Sequence, residues 1–237
     1  LAAEARALGY DTHKGPFAVI VAGDLDHEEL GTATLSDLHL AARRATQQSY
    51  SEAALSGELS GLAVILAPLR NGADLGPGRR LAENVHRNAL RLNADLNPIA
   101  AIGGATDLGH VSDSFAEARR TLRMMRAIPD LRPIAAWDEL GVFRALALLP
   151  PEELQQGVLD SRVQQLQENE ELAATAETFL DLAGNVQRTA EALFLHRATL
   201  YQRLDRIATL YDLDLRHNGH HRLFVHLSLK LARVAPP

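Results

Sequence analysis

The chain has no cysteine among its 237 residues. That excludes disulfides and thiolate metal sites, and it agrees with a reducing cytoplasm. It has no run of eighteen apolar residues, so no transmembrane helix is expected, and no secretory signal pattern. It lacks a G-x-S-x-G elbow and a G-x-x-x-x-G-K-[ST] loop, which removes the commonest nucleophile and phosphate-cradle motifs. Gly72, Gly76 and Gly78 beside Arg79 and Arg80 have no strand leading in and no lysine; they read as loop. Gly103-Gly104, after a strand, reads as a tight turn. Internal repeats and low-complexity segments are absent. The opening LAAEARALGY has no methionine and starts in mid-helix by its pattern, so a piece of a longer protein is expected.

What the chain does have is an ordinary globular composition and enough length for one or two domains. Its net charge is −6, which by itself argues against nucleic acid. The sign reverses locally. From Asn185 to Val234 there are eight basic residues (Arg188, Arg197, Arg203, Arg206, Arg216, Arg222, Lys230, Arg233) against four acids (Glu191, Asp205, Asp212, Asp214). Acidity concentrates just upstream, in Glu168, Glu170, Glu171, Glu177 and Asp181.

Apolar periodicity divides the chain. Residues 1–9 read as the end of a helix. FAVIVA from Phe17 is a continuous apolar run with β-branched residues, hence a buried strand. A helix is expected over Thr34 to Gln48, and a hairpin from Ala53 to Leu59 and Leu62 to Pro68 around Ser60-Gly61. NGADLGPG reads as loop, Arg80 to Leu96 as helix, and Pro98 to Gly104 as strand. Ser112 is placed to cap a helix from Asp113 to Ala127, and Ile134 to Trp137 is a last short strand. This βαββαβ order predicts a ferredoxin-like antiparallel sheet with helices on one face, an α+β fold. After Asp138 only helical patterns follow: Leu140 to Leu149, Glu152 to Gln167, Glu170 to Leu182, and a last helix from His221 to Val234. The domain reading is therefore 10–137, a connector over 138–168, and an all-α domain over 169–237.

Within that last part, Ala190, Leu193, Leu195, Leu200, Leu204 and Ile207 fall on one apolar seam between two short helices. The helices run from Val186 to Leu193 and from His196 or Arg197 to Leu210. A small residue where helices cross and a second helix left exposed is what a helix-turn-helix needs to enter a major groove. Gly184 suits the left-handed position after the preceding helix.

The segments T189-A-E-A-L-F-L-H-R-A-T-L-Y-Q-R-L-D-R-I, E177-T-F-L-D-L and R222-L-F-V-H-L-S-L-K-L-A resemble the PucR/CdaR family of bacterial transcriptional regulators. The resemblance implies a DNA-binding module over about residues 170–235. I102-G-G-A-T and S114-F-A-E-A-R-R-T-L make residues 10–137 similar to the GGDEF-like domain that precedes it. Nucleotide-cyclising GGDEF domains carry two glycines and two acids on a hairpin, whereas the hairpin here reads E58-L-S-G-L-A-V-I-L. The resemblance thus implies a degenerate, non-catalytic domain for dimerisation or signal transmission. Asp24 and Asp26 form a D-x-D after the first strand, read as solvated loop because no acid stands on the hairpin to complete a metal site. The competing readings are a nucleotide or metabolite sensor, or residual cyclase activity in this domain.

If the second helix enters a groove, the face opposite its seam carries Ala198, Thr199, Gln202, Asp205 and Arg206, flanked by Tyr201 and Arg197. Gln202 suits adenine, Ala198 and Thr199 suit a thymine methyl, and Arg206 or Arg197 suits guanine or phosphate. Arg188 suits phosphate. The plainer alternative pairs these arginines with Glu191 and Asp205. Arg203, nearer the seam, is expected to brace the domain against an acid from another helix, and His196 to cap the second helix. His217, His220, His221 and His226 read as a surface turn before the last helix, because Gly219 would break a helix between them. The expected partners are double-stranded DNA, a second copy in a homodimer, and an unidentified small-molecule effector. No cofactor, metal, catalytic residue or membrane contact is expected.

Overall fold

The computed structural model describes residues 16–27, 31–49, 54–69, 74–149 and 160–232. The readings for residues 1–9 and for 150–159 of the connector fall outside them. The chain divides into two compact units, Leu1–Leu148 and Leu149–Pro237.

The first unit is built on a five-stranded sheet ordered β2-β3-β1-β4-β5. β1 (Phe17–Asp24) is central, antiparallel to both β3 (Leu62–Pro68) and β4 (Pro98–Ile102). β2 (Leu55–Leu59) pairs β3 antiparallel, and β5 (Ile134–Ala136) adds parallel to β4. Between β2 and β3, Ser60 and Gly61 both take left-handed φ, 52° and 72°, the two-residue turn whose twist matches a hairpin.

Helices α1 (Thr32–Ser49), α2 (Gly76–Leu92) and α3 (Val111–Ala127) do not share a face. Ala18, Ile20 and Ala22 of β1 pack with Leu38 and Ala42 of α1 and with Leu81 and Val85 of α2. Val19 and Val21 pack instead with Ala118, Leu122 and Met125 of α3. The sheet is therefore covered on both sides: α1 and α2, the helices of the βαββαβ core, share one face as expected, and α3, which follows that core, covers the other. This explains why β1 is apolar at every position rather than at alternate ones: successive side chains point to opposite faces, and each face is dry.

Three local expectations change. α2 starts at Gly76 and ends at Leu92, earlier than the spacing suggested. Pro77 sits in its first turn, where a missing N–H costs nothing, and Asn93 ends it by donating its own N–H to Ala89 and accepting the Asp95 amide. Ser112 does not cap α3. The chain enters through a short 3-10 turn whose cap is Asp107, accepting the amides of Gly109 and His110. The stretch after β5 is a 3-10 turn, Trp137–Glu139, then the short α4 (Phe143–Ala147), separated by Gly141 in a left-handed conformation at φ 54°.

Among its described residues the second unit is built of helices alone: α5 (Ser161–Gln167), α6 (Glu170–Asp181), α7 (Val186–Ala192), α8 (Arg197–Tyr211) and α9 (Gly219–Ala232). Asp160 and Asn169 cap α5 and α6 by accepting the Arg162 and Leu172 amides, which gives a first-turn donor of each helix a partner. One core joins the helices, with Leu166, Leu172, Phe179, Leu200, Leu204, Ile207, Val225 and Leu229 all buried.

Candidate nucleic-acid interface

α6 ends in two left-handed residues, Ala183 at φ 54° and Gly184 at φ 76°. The Gly184 amide reaches back to the Phe179 carbonyl and that of Ala183 to Leu180, closing the helix as such ends require. A Cβ at Gly184 would meet the Arg222 guanidinium at 3.3 Å, so close packing as well as φ favours glycine there. Asn185 then caps α7 through the Arg188 amide at 3.0 Å.

α7 crosses α8 at Ala190, which is buried, and α8 turns Leu200, Leu204 and Ile207 wholly inward. Leu193 and Leu195, between the helices, are half-buried. With its seam fixed, α8 leaves Arg197, Ala198, Tyr201, Gln202, Asp205 and Arg206 exposed, and Thr199 half-buried. Arg188 on α7 is also exposed. Arg197 donates to Gln187 Oε1 at 2.9 Å across the helix pair, and Gln187 donates in turn to Glu191. Among the described residues neither Arg188 nor Arg206 has an ion-pair partner. The acids set against these arginines in the sequence go elsewhere, Glu191 to Gln187 and Asp205 to Arg216.

Arg216 is the residue that sequence reasoning did not assign. Its guanidinium lies 4.6 Å from the Tyr201 ring centroid and 2.8 Å from Asp205 Oδ1. It neutralises the one acid of α8 and occupies one face of the Tyr201 ring. The turn that delivers it is held by Asp214, which accepts the amides of Arg216 and His217 while its own N–H donates to His221 Nδ1. The His217 amide, opposed by slight burial and joined by the Arg216 amide, keeps the Asp214 carboxyl below its ordinary pKa. No periodic signal marks Arg216, because it sits in a turn and meets Asp205 only when the turn folds back.

Other roles are also settled by geometry. Arg203 points to α6, donating to Glu171 and to the Thr175 hydroxyl, so it joins helices instead of facing outward. His196 stands at the start of α8, where its carbonyl accepts the Leu200 amide, but its side chain makes no capping bond; the expectation of a capping imidazole is corrected. Gly219 opens α9 and does not break it, because Asn218 accepts the His220 and His221 amides at that end. The histidines diverge: His217 to Asp214, His226 to Asp181, and His221 to a backbone amide. Behind this surface Lys230 is buried against Glu177 and Asp181.

In the first unit, Asp24 is not a solvated loop residue. It is only 2% exposed. One of its oxygens accepts the amides of Asp26 and His27 and the His27 ring N–H, and the other accepts the Asn97 amide. Those donors tie the loop after β1 to the one before β4, and burial follows from that duty. Gly103 is a close approach and not simply a turn: a Cβ there would fall 2.0 Å from the Ser114 carbonyl oxygen. Among the described residues no group of three or more His, Asp or Glu side chains converges as metal ligands would, and no helix is long and apolar enough to cross a membrane.

Comparison with known proteins bears on both units. Residues 172–231 match the PucR C-terminal helix-turn-helix domain, and residues 1–124 match the GGDEF-like domain, more than half of the chain. The DNA-binding transcriptional activator AdeR of Bacillus subtilis (strain 168) is 27% identical over 141 residues, 56% of this chain and 33% of that protein. The chain thus spans about a third of the length of this curated relative. The crystal structure of a regulator of polyketide synthase expression from Bifidobacterium adolescentis aligns with a TM-score of 0.37 at 19% identity, over 98% of this chain and 85% of that one.

Proposed function

The chain belongs to the PucR/CdaR family of bacterial transcriptional regulators, and on that premise we propose that it is a sequence-specific DNA-binding regulator whose second unit reads the major groove with α8. The observation that carries this is the exposed, acid-neutralised face of a helix whose other side is locked by Leu200, Leu204 and Ile207. Gln202 has the amide geometry to pair with adenine N6 and N7, and Ala198 and Thr199 present small or methyl-bearing groups to thymine. Arg197, oriented by Gln187, and exposed Arg206 supply cations for guanine or phosphate. Tyr201 flanks them, and Arg188 on α7 meets the backbone.

In this reading residues 10–137 form the GGDEF-like regulatory and dimerisation domain, 138–168 the connector, and 169–237 the DNA-binding domain. The first domain is non-catalytic. Asp24 spends both oxygens on N–H donors, and its hairpin, E58-L-S-G-L, carries no acid pair that would hold metal and nucleotide. A single helix-turn-helix reads few bases, so a homodimer on two half-sites is the arrangement that reaches useful affinity. A small-molecule effector acting on the first domain, in the cytoplasm, completes the proposal.

The test is selection of bound sequences from a random DNA pool, followed by titration of variants. Arg197→Ala and Gln202→Ala should weaken operator binding about tenfold or more while leaving random DNA less affected. Arg188→Ala should weaken both and lower the salt slope by about one. Failure to enrich any sequence, or equal losses on all DNA for every variant, overturns base reading.

A further inference from the structure

Phe194 is the most exposed large apolar side chain among the described residues, at 96%. It lies in the turn between α7 and α8 with φ 55°, a left-handed conformation that a bulky residue seldom adopts. The other non-glycine residues in that region among the described residues, Ser60, Ala183 and Asp212, are small or polar. The turn does not need a ring here. Its closing bonds run from the backbone amides of Phe194 to Glu191 and of Leu195 to Ala190, and glycine would make them equally well. The apolar duty of the turn is met by half-buried Leu195. Neither packing nor backbone geometry accounts for a phenylalanine, so the strain points toward a ligand outside the fold.

The surroundings identify its chemistry. Phe194 borders an open notch together with Gln187, Glu191, His196, Arg197 and Ala198. Exposed Arg197 and His196 stand close by in the chain, and no second exposed large apolar residue lines the notch. A protein-docking anchor would sit among apolar neighbours; a lone ring beside the Arg197 guanidinium, with Glu191 engaged by Gln187, suits a polyanion with scattered apolar groups. Phe194 lies three residues before α8 begins at Arg197, at the end of the recognition helix whose first residues meet base edges in a helix-turn-helix.

We propose that Phe194 is a DNA contact, laying its ring on the apolar surface of a nucleotide, either a thymine 5-methyl group or deoxyribose carbons. The inference rests on the DNA-binding function proposed above and adds a residue outside α8 to its interface. Burying an otherwise water-exposed ring against such a group is favourable without any hydrogen bond, and thymine methyls are the apolar feature of the major groove.

The experiment uses the full chain with Phe194→Gly and Phe194→Trp, on the operator enriched by the wild-type protein and on the same operator with thymines replaced by deoxyuracil. Phe194→Gly should bind about tenfold more weakly, while its melting temperature is unchanged or higher by about 2–4 °C as the left-handed strain is relieved. Phe194→Trp should retain most of the affinity. If one deoxyuracil weakens the wild type and not Phe194→Gly, the methyl group is the contact. If none does and random DNA is bound more weakly as well, it is deoxyribose. Wild-type affinity in Phe194→Gly overturns the proposal, including the case where only self-association is lost. A lower melting temperature in Phe194→Gly also overturns it, by making the ring structural. A wild-type protein that enriches no sequence overturns the DNA-binding reading itself, a result distinct from either.

Discussion

Replacing Lys230 with methionine removes a charge from inside the second unit while keeping an unbranched stem. The Lys230 side chain is 8% exposed, with Nζ 3.0 Å from Glu177 and 2.9 Å from Asp181; Asp181 also accepts from His226 at 2.7 Å. These bonds tie α9 to α6. A hydrogen bond to a charged group contributes about 1.5–3 kcal/mol net. The Glu177 arm, 17% exposed, should approach that value, whereas Asp181, 36% exposed, is discounted for solvent screening. The expected loss is about 2–3 kcal/mol, short of the cost of stripping a partner from a fully buried pair. In urea, followed by far-UV circular dichroism, the midpoint for this unit should fall by about 1–2 M. The pH dependence identifies the cause. Burial pushes the Asp181 carboxyl up, but the hydrogen bonds from Lys230 and His226 outweigh it and hold its pKa below the ordinary value. A depressed folded pKa gives stability that is present above the unfolded value, about 3.9, and lost as pH falls through the folded one. The gap between wild type and Lys230→Met should therefore be full near about pH 7 and shrink below about pH 4. A gap that stays constant with pH would mean lost packing, and no gap at neutral pH would mean that the network contributes nothing; either refutes the reasoning.

Two further substitutions probe the joints of the two units. Gly103→Ala sets a Cβ 2.0 Å from backbone at Ser114, so α3 must shift from β4, and Trp137 fluorescence, from the chain's one tryptophan, should report destabilisation of about 2 kcal/mol or more; unchanged unfolding would contradict the close approach. Arg203→Leu removes the bonds to Glu171 and Thr175 and should cost about 1 kcal/mol with operator sequence preference unchanged; altered preference at intact stability would move Arg203 from brace to reader.

Much of this architecture was legible because it is local. Periodicity alone located the hairpin at Ser60-Gly61 and the seam of Ala190, Leu200, Leu204 and Ile207, since a strand alternates and a helix repeats within a few residues. The HRATLYQRL run and the local reversal of charge pointed to DNA. Element ends were less visible. Pro77 and Gly78 look like loop residues until tertiary packing admits them to the first turn of α2, and Asp107 is a better cap than the nearer Ser112 because the 3-10 turn precedes the helix.

Sequence by itself determined which segments are strands and helices, their order, and the side of α8 that must be buried, because these follow from side-chain periodicity along one element. Only the tertiary structure decided what each side chain meets across elements. It put α3 on the opposite face of the sheet from α1 and α2, since an apolar strand announces two dry faces without naming what covers them. It buried Asp24 among four N–H donors drawn from two loops. It gave Asp205 to Arg216 and Glu171 to Arg203, leaving Arg188 and Arg206 without acids among the described residues. Pairing between charges depends on distances in space that spacing along the chain does not encode. The same holds for exposure, which is why Phe194, one more apolar letter in ALFLHR, emerges as an outlier only when the turn around it is folded.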